Sequence, residues 1–137
     1  MGIPPGSDDV VVGLVGVYDA EGTLLGEVAY WVGARLGRAH CALCDVTHGM
    51  FTERADWRAA RDTLPAPFAT YHLDDMPAEV RECAGGLAPV VLARTTGGMR
   101  LLLGPSELDA CRGSPTRLVE LLHRTVDHLG LAWPTVP

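Results

Sequence analysis

The chain has 137 residues, 47% of them apolar and 20% charged, proportions that fit one compact domain and exclude a disordered segment or a coiled coil. Eleven basic against 17 acidic residues leave a net charge of −6, and every basic residue is an arginine, spread singly from Arg35 to Arg124; duplex nucleic acid is excluded as a partner because phosphate binding needs a clustered positive face. Four cysteines are too few for a secreted disulfide scaffold, no secretory signal opens the chain, Gly6 stands where a myristoylation signal needs Ser or Thr, and no apolar stretch reaches the length of a membrane span, so a cytoplasmic protein without a membrane partner is expected.

Residues 1–9, with two prolines and two glycines, read as a loose leader. Residues 10–18 (VVVGLVGVY) are apolar and rich in β-branched side chains and run into Asp19-Ala20-Glu21-Gly22, which predicts a buried central strand. Leu24, Leu25, Val28, Ala29, Val32 and Leu36 then recur at helical spacing between Thr23, the expected N-cap, and the stop at Gly37. Gly26 and Gly33 each cost such a helix roughly 1 kcal/mol relative to Ala, so two paired strands over residues 23–36 are the alternative.

A helix is predicted around residues 52–63, ended by Pro65 and Pro67. Residues 68–73 (FATYHL) alternate as a second strand, and residues 77–83 form a short helix before Gly85-Gly86. Residues 87–93 (LAPVVLA) and 99–103 (MRLLL) are a third and a fourth strand, joined through Thr95-Thr96-Gly97-Gly98 as a hairpin. Ser114 and Pro115 open a last helix whose apolar stripe is Leu118, Leu122, Val126 and Leu129, and Gly130 closes it, leaving residues 131–137 as a tail. This order predicts a single domain over residues 10–130. It is of the α/β class, with a mixed sheet of about four strands and helices on both faces, because a crossover helix must cover the sheet it returns to.

The chemistry is concentrated in Cys41-Ala42-Leu43-Cys44, where a loop enters a helix. Unpaired N–H groups at a helix start stabilise a thiolate, and two cysteines three apart can close a small disulfide ring, so the motif reads as a redox pair. The same spacing also suits half of a zinc site. On a regular helix Cys41, Cys44, Asp45 and His48 share one face, a donor set that suits Zn, or Cu in a softer site. A third reading makes the cysteines small buried apolar residues of a non-catalytic interaction module. A charged His40 beside Cys41 favours a thiolate there, whereas Asp45 disfavours one at Cys44.

From these elements the chain, over residues 10–129, resembles the thioredoxin-like superfamily. The likeness lies in the order of elements, in the cysteine pair at the start of the first long helix after the central strand, and in Pro89, 48 residues after Cys41, heading the hairpin. The resemblance implies a cis peptide bond between Ala88 and Pro89, with Pro89 lying against the cysteine pair and contacting the substrate backbone. The chain departs from the family in the segment of about twenty residues between the first strand and Cys41, and in carrying His40 where an aromatic residue usually precedes the motif. The inserted segment could cover the pair and form a substrate or partner groove.

The expected function is thus a thiol–disulfide oxidoreductase acting on a protein or small-molecule thiol or disulfide. Cys41 is the nucleophile, Cys44 the resolving thiol, and no cofactor is required. The alternatives are a Zn- or Cu-binding protein using Cys41, Cys44 and His48, and the interaction module. Cys83 and Cys111 read as core or surface thiols, with a second redox pair as the alternative. His72, His123 and His128 read as structural, and Trp31, Trp57 and Trp133 as packing anchors. Ser7, Ser106 and Ser114 lack a nucleophile elbow, and without lysine no phosphate-binding Walker motif exists.

Overall fold

In a computed structural model, residues 9–19, 42–47 and 54–134 are described. The segment over residues 23–36, expected as a helix or a strand pair, lies outside them. The described chain is a mixed α/β fold built on a four-stranded mixed sheet in the order β2-β1-β3-β4. Its strands are β1 (Val11–Val17), β2 (Phe68–Tyr71), β3 (Val90–Thr95) and β4 (Gly98–Leu103). The helices are α1 (Ala42–Thr47), α2 (Ala55–Arg61), α3 (Ala78–Ala84), α4 (Pro105–Ala110) and α5 (Pro115–His128).

β1 is central because both of its faces are apolar. It runs parallel to β2, from Leu14 opposite Phe68 to Val17 opposite Tyr71, and antiparallel to β3, with Val17 opposite Val90. Leu14 shares a buried cluster with Val91, Ala93 and the inner residues of α1, α2 and α5. Val15 and Val17 point the other way, into a smaller cluster with Val90, Leu92 and the α3 residues Val80 and Ala84. The sheet therefore carries helices on both faces. Strict alternation would send Val11 and Leu14 to opposite faces, yet both lie in the larger cluster. An irregularity in the pairing between Val11 and Gly13 resets the phase and leaves Val12 51% exposed.

α5 supplies the main cover. Ser114 Oγ accepts from the Arg117 N–H at 3.2 Å, and Pro115 occupies the first turn, where a missing N–H costs nothing. Leu118, Leu122 and Val126, spaced four apart, are fully buried, each stabilising the fold by about 1.5–3 kcal/mol. Gly130 stops the helix with φ +73, a conformation open to glycine at little cost. Beyond it the chain folds back: the Val11 N–H donates to the Ala132 carbonyl at 2.8 Å and the Ala132 N–H to the Asp9 carbonyl at 2.9 Å, while Leu131 is buried.

β2 ends at Tyr71 rather than at residue 73 and α2 spans Ala55–Arg61 within the expected 52–63; two further elements differ more. β3 begins at Val90 rather than at residue 87, and Thr95 pairs with Gly98, so the hairpin turn tightens to Thr96-Gly97. There the Thr95 hydroxyl donates to the Gly98 carbonyl at 2.6 Å and accepts from the Gly97 N–H at 3.1 Å. Helix α4 was not expected; six residues are too short to show a helical period, but Pro105 opens it and Glu107 Oε1 accepts from the Gly104 N–H at 2.7 Å. Among the described residues no helix is long and apolar enough to cross a membrane.

Candidate functional site

The second cysteine of the motif lies in α1, and that helix is held down by its own apolar residues. Leu43, Val46 and Thr47 are fully buried and Cys44 is 7% exposed, all in or against the cluster that contains Leu14, Tyr18 and Trp57. Leu43 lies over Gly16, where a β-carbon would stand 3.0 Å from Leu43 Cδ2. At the other end of α1, the Thr47 carbonyl accepts from the Arg54 N–H at 2.8 Å. Arg54 Nη1 in turn donates to the Gly113 carbonyl at 2.6 Å, joining the start of α2 to the turn before α5.

Because β1 and β2 are parallel and β3 is antiparallel, one end of the sheet gathers the ends of β1 and β2 and the start of β3. Tyr18 follows β1 there; its N–H donates to the Tyr71 carbonyl at 2.9 Å, and its ring centroid stands 5.3 Å from that of His72. His72 Nδ1 lies 3.2 Å from Asp75 Oδ2. Pro89 is buried immediately before β3, and the Ala88–Pro89 peptide bond is cis, the isomer that the resemblance implies. The Tyr18 hydroxyl reaches Thr47 Oγ1 at 2.9 Å. Neither Tyr18 nor Thr47 was singled out from the sequence. The available signal was a threonine within an otherwise apolar helix face, a position at which a hydroxyl needs a partner.

Cys41, His40 and His48 lie outside the described residues, as does the side chain of Asp45, so the expected approach of Pro89 to Cys41 and the ligand set Cys41, Cys44 and His48 fall outside them too. Among the described residues no three His, Cys, Asp or Glu side chains gather as a metal site. The alternative of a second redox pair is corrected: Cys83 packs with the α3 cluster on one face of the sheet, whereas Cys111 is buried in the larger cluster on the other. Burial pushes both thiols above the ordinary value, an effect that Arg100 partly offsets at Cys83 and Arg117 at Cys111. Trp57 is fully buried, edge-on to Phe68 with ring centroids 5.0 Å apart, the packing role expected of it; Trp31 lies outside the described residues.

No protein-family model matches the chain, and neither a curated protein nor a solved structure matches it.

Proposed function

We propose that the chain is a thioredoxin-like thiol–disulfide oxidoreductase working through Cys41 and Cys44. The observation that carries this reading is the sheet order β2-β1-β3-β4, in which β2 is parallel and β3 and β4 alternate in direction. The cysteine-bearing helix falls between β1 and β2, and Pro89 heads β3 beside the end of β1. This is the arrangement the superfamily uses to bring a cysteine pair and a prolyl loop to one end of a sheet. The burial of Cys44 suits a resolving thiol, which needs to meet only the sulfur of its own partner.

In the reaction, the Cys41 thiolate attacks one sulfur of a substrate disulfide, and the other sulfur leaves as a thiolate. Cys44 then attacks the Cys41 sulfur, closing the Cys41–Cys44 bond and releasing the second substrate thiol. Two electrons pass from the cysteine pair to the substrate, and the two cysteine protons balance the two thiols formed. Pro89 contacts the substrate backbone.

The test uses glutathione disulfide as substrate. Cys44→Ser should accumulate a glutathione adduct on Cys41, Cys41→Ser should accumulate little, and in the reduced protein Cys41 should alkylate faster than Cys44. Equal alkylation of the two thiols, with no adduct on either variant, would overturn the reading.

A further inference from the structure

We infer that Tyr18 and Thr47 are positioning residues for Cys44, acting through a buried chain of hydroxyls that ends on the peptide group preceding it. The inference rests on the redox reading and adds residues that the cysteine motif does not contain.

The chain of contacts is short. Thr47 Oγ1 donates to the Leu43 carbonyl at 3.2 Å. The same oxygen stands 2.9 Å from the Tyr18 hydroxyl, a buried hydrogen bond in which either hydroxyl can be the donor. The Leu43 carbonyl belongs to the same planar peptide unit as the Cys44 N–H. Orienting that carbonyl therefore orients the plane from which the Cys44 side chain leaves the backbone. Thr47 is fully buried and Tyr18 is 3% exposed, so the contact between the two hydroxyls lies in the interior, where hydrogen bonds are costly to lose. The hydroxyls consequently hold each other, and through them the strand end at Tyr18 holds the turn that carries Cys44. The Tyr18 ring is itself braced by His72, whose Nδ1 meets Asp75.

The geometry of disulfide closure gives this bracing a chemical consequence. A disulfide forms only within a narrow range of Cβ separations and of torsion about the S–S bond, and the second step of the reaction is an intramolecular attack whose rate depends on prior orientation. That step breaks the bond between Cys41 and the substrate sulfur and makes the Cys41–Cys44 bond. The proton Cys44 gives up balances the one the departing thiol takes. Loss of the hydroxyl chain should slow this step and leave the first, the attack of Cys41 on the substrate, unaltered. A change confined to overall stability would move neither rate selectively.

The experiment mixes reduced protein with glutathione disulfide, quenches with acid at intervals, and follows the Cys41 adduct by mass spectrometry. Tyr18→Phe keeps the ring and removes only the hydroxyl; Thr47→Val keeps the shape of Thr47 without its donor, and Thr47→Ser keeps the donor. The adduct should form at the wild-type rate in all three variants. It should persist about tenfold longer in Tyr18→Phe and Thr47→Val, the order of loss expected when an intramolecular group is less well oriented, and resolve at close to the wild-type rate in Thr47→Ser. If Thr47→Val does not fold, Tyr18→Phe and Thr47→Ser carry the comparison. Adduct formation followed by wild-type resolution in Tyr18→Phe would overturn the positioning role and leave the redox reading standing. Absence of any adduct, even in Cys44→Ser, would overturn both.

Discussion

Leu43 sits directly above Gly16: a β-carbon on Gly16 would stand 3.0 Å from Leu43 Cδ2, and equally 3.0 Å from Phe68 Cε1. The bare backbone of β1 at this point is what lets α1 lie close enough for Thr47 to meet Tyr18 and for Cys44 to enter the core. The glycine thus links the strand to the seating of the cysteine-bearing helix.

Gly16→Ala should therefore be destabilising by about 1–3 kcal/mol, the usual cost of overpacking a filled interior. Gly13→Ala, in the same strand, is the control: its nearest neighbours would be 3.9 Å from the new carbon, an ordinary contact, and its effect should stay within about 0.5 kcal/mol. Urea denaturation of the two variants makes the comparison. Equal midpoints would show that α1 does not depend on the space at Gly16.

The parts of this fold legible in the sequence are those with a local pattern. The run from Val11 to Val17 announces a strand buried on both faces, and the four-residue spacing of Leu118, Leu122 and Val126 announces the inner face of α5. The irregularity between Val11 and Gly13 left no mark, because an apolar run hides which face each residue takes. Helix α4 was hidden by its length. At the candidate site the cysteine spacing and Pro89 were legible as a motif, whereas Tyr18 and Thr47, 29 positions apart, become partners only once the helix lies on the sheet. No sequence period encodes such a pair.

The ion pair between Arg94 on β3 and Glu79 on α3, at 2.7 Å, gives a pH-dependent prediction. The hydrogen bond from Arg94 holds the Glu79 carboxyl below its ordinary value of 4.5. A carboxyl whose folded value is depressed stabilises the fold above its unfolded value and loses that effect as pH falls through the folded one. Both groups are substantially exposed, so the effect is small and screened by salt. Glu79→Gln should lower the Tm slightly at neutral pH and low ionic strength, and the gap from wild type should close as pH drops below 4.5 or as salt approaches about 1 M. An undiminished gap at pH 3 would show that Glu79 acts through packing and not through charge.

The two remaining described cysteines should stand apart from the chemistry proposed for Cys41 and Cys44. Cys111 is 2% exposed and its Sγ lies 3.6 Å from the Glu107 carbonyl oxygen; Cys83, on α3 itself, is half-buried against the smaller cluster. Desolvation raises both thiols above the ordinary 9.0, and the attraction of Arg117 and Arg100 recovers only part of the shift. A raised value means less thiolate at neutral pH, and the thiolate is the species that attacks an alkylating agent or a disulfide. In the folded protein at pH 7.5, both should label more slowly than an exposed thiol of pKa about 8.5, and Cys111 should label at an appreciable rate only on unfolding. Their alkylation rates should still be climbing with pH at 9.0. The double variant Cys83→Ala, Cys111→Ala should react with glutathione disulfide at the wild-type rate. Peptide mapping after timed alkylation reads each thiol separately: Cys83 or Cys111 labelling as fast as Cys41, or a slowed reaction in the double variant, would bring a second thiol into the chemistry.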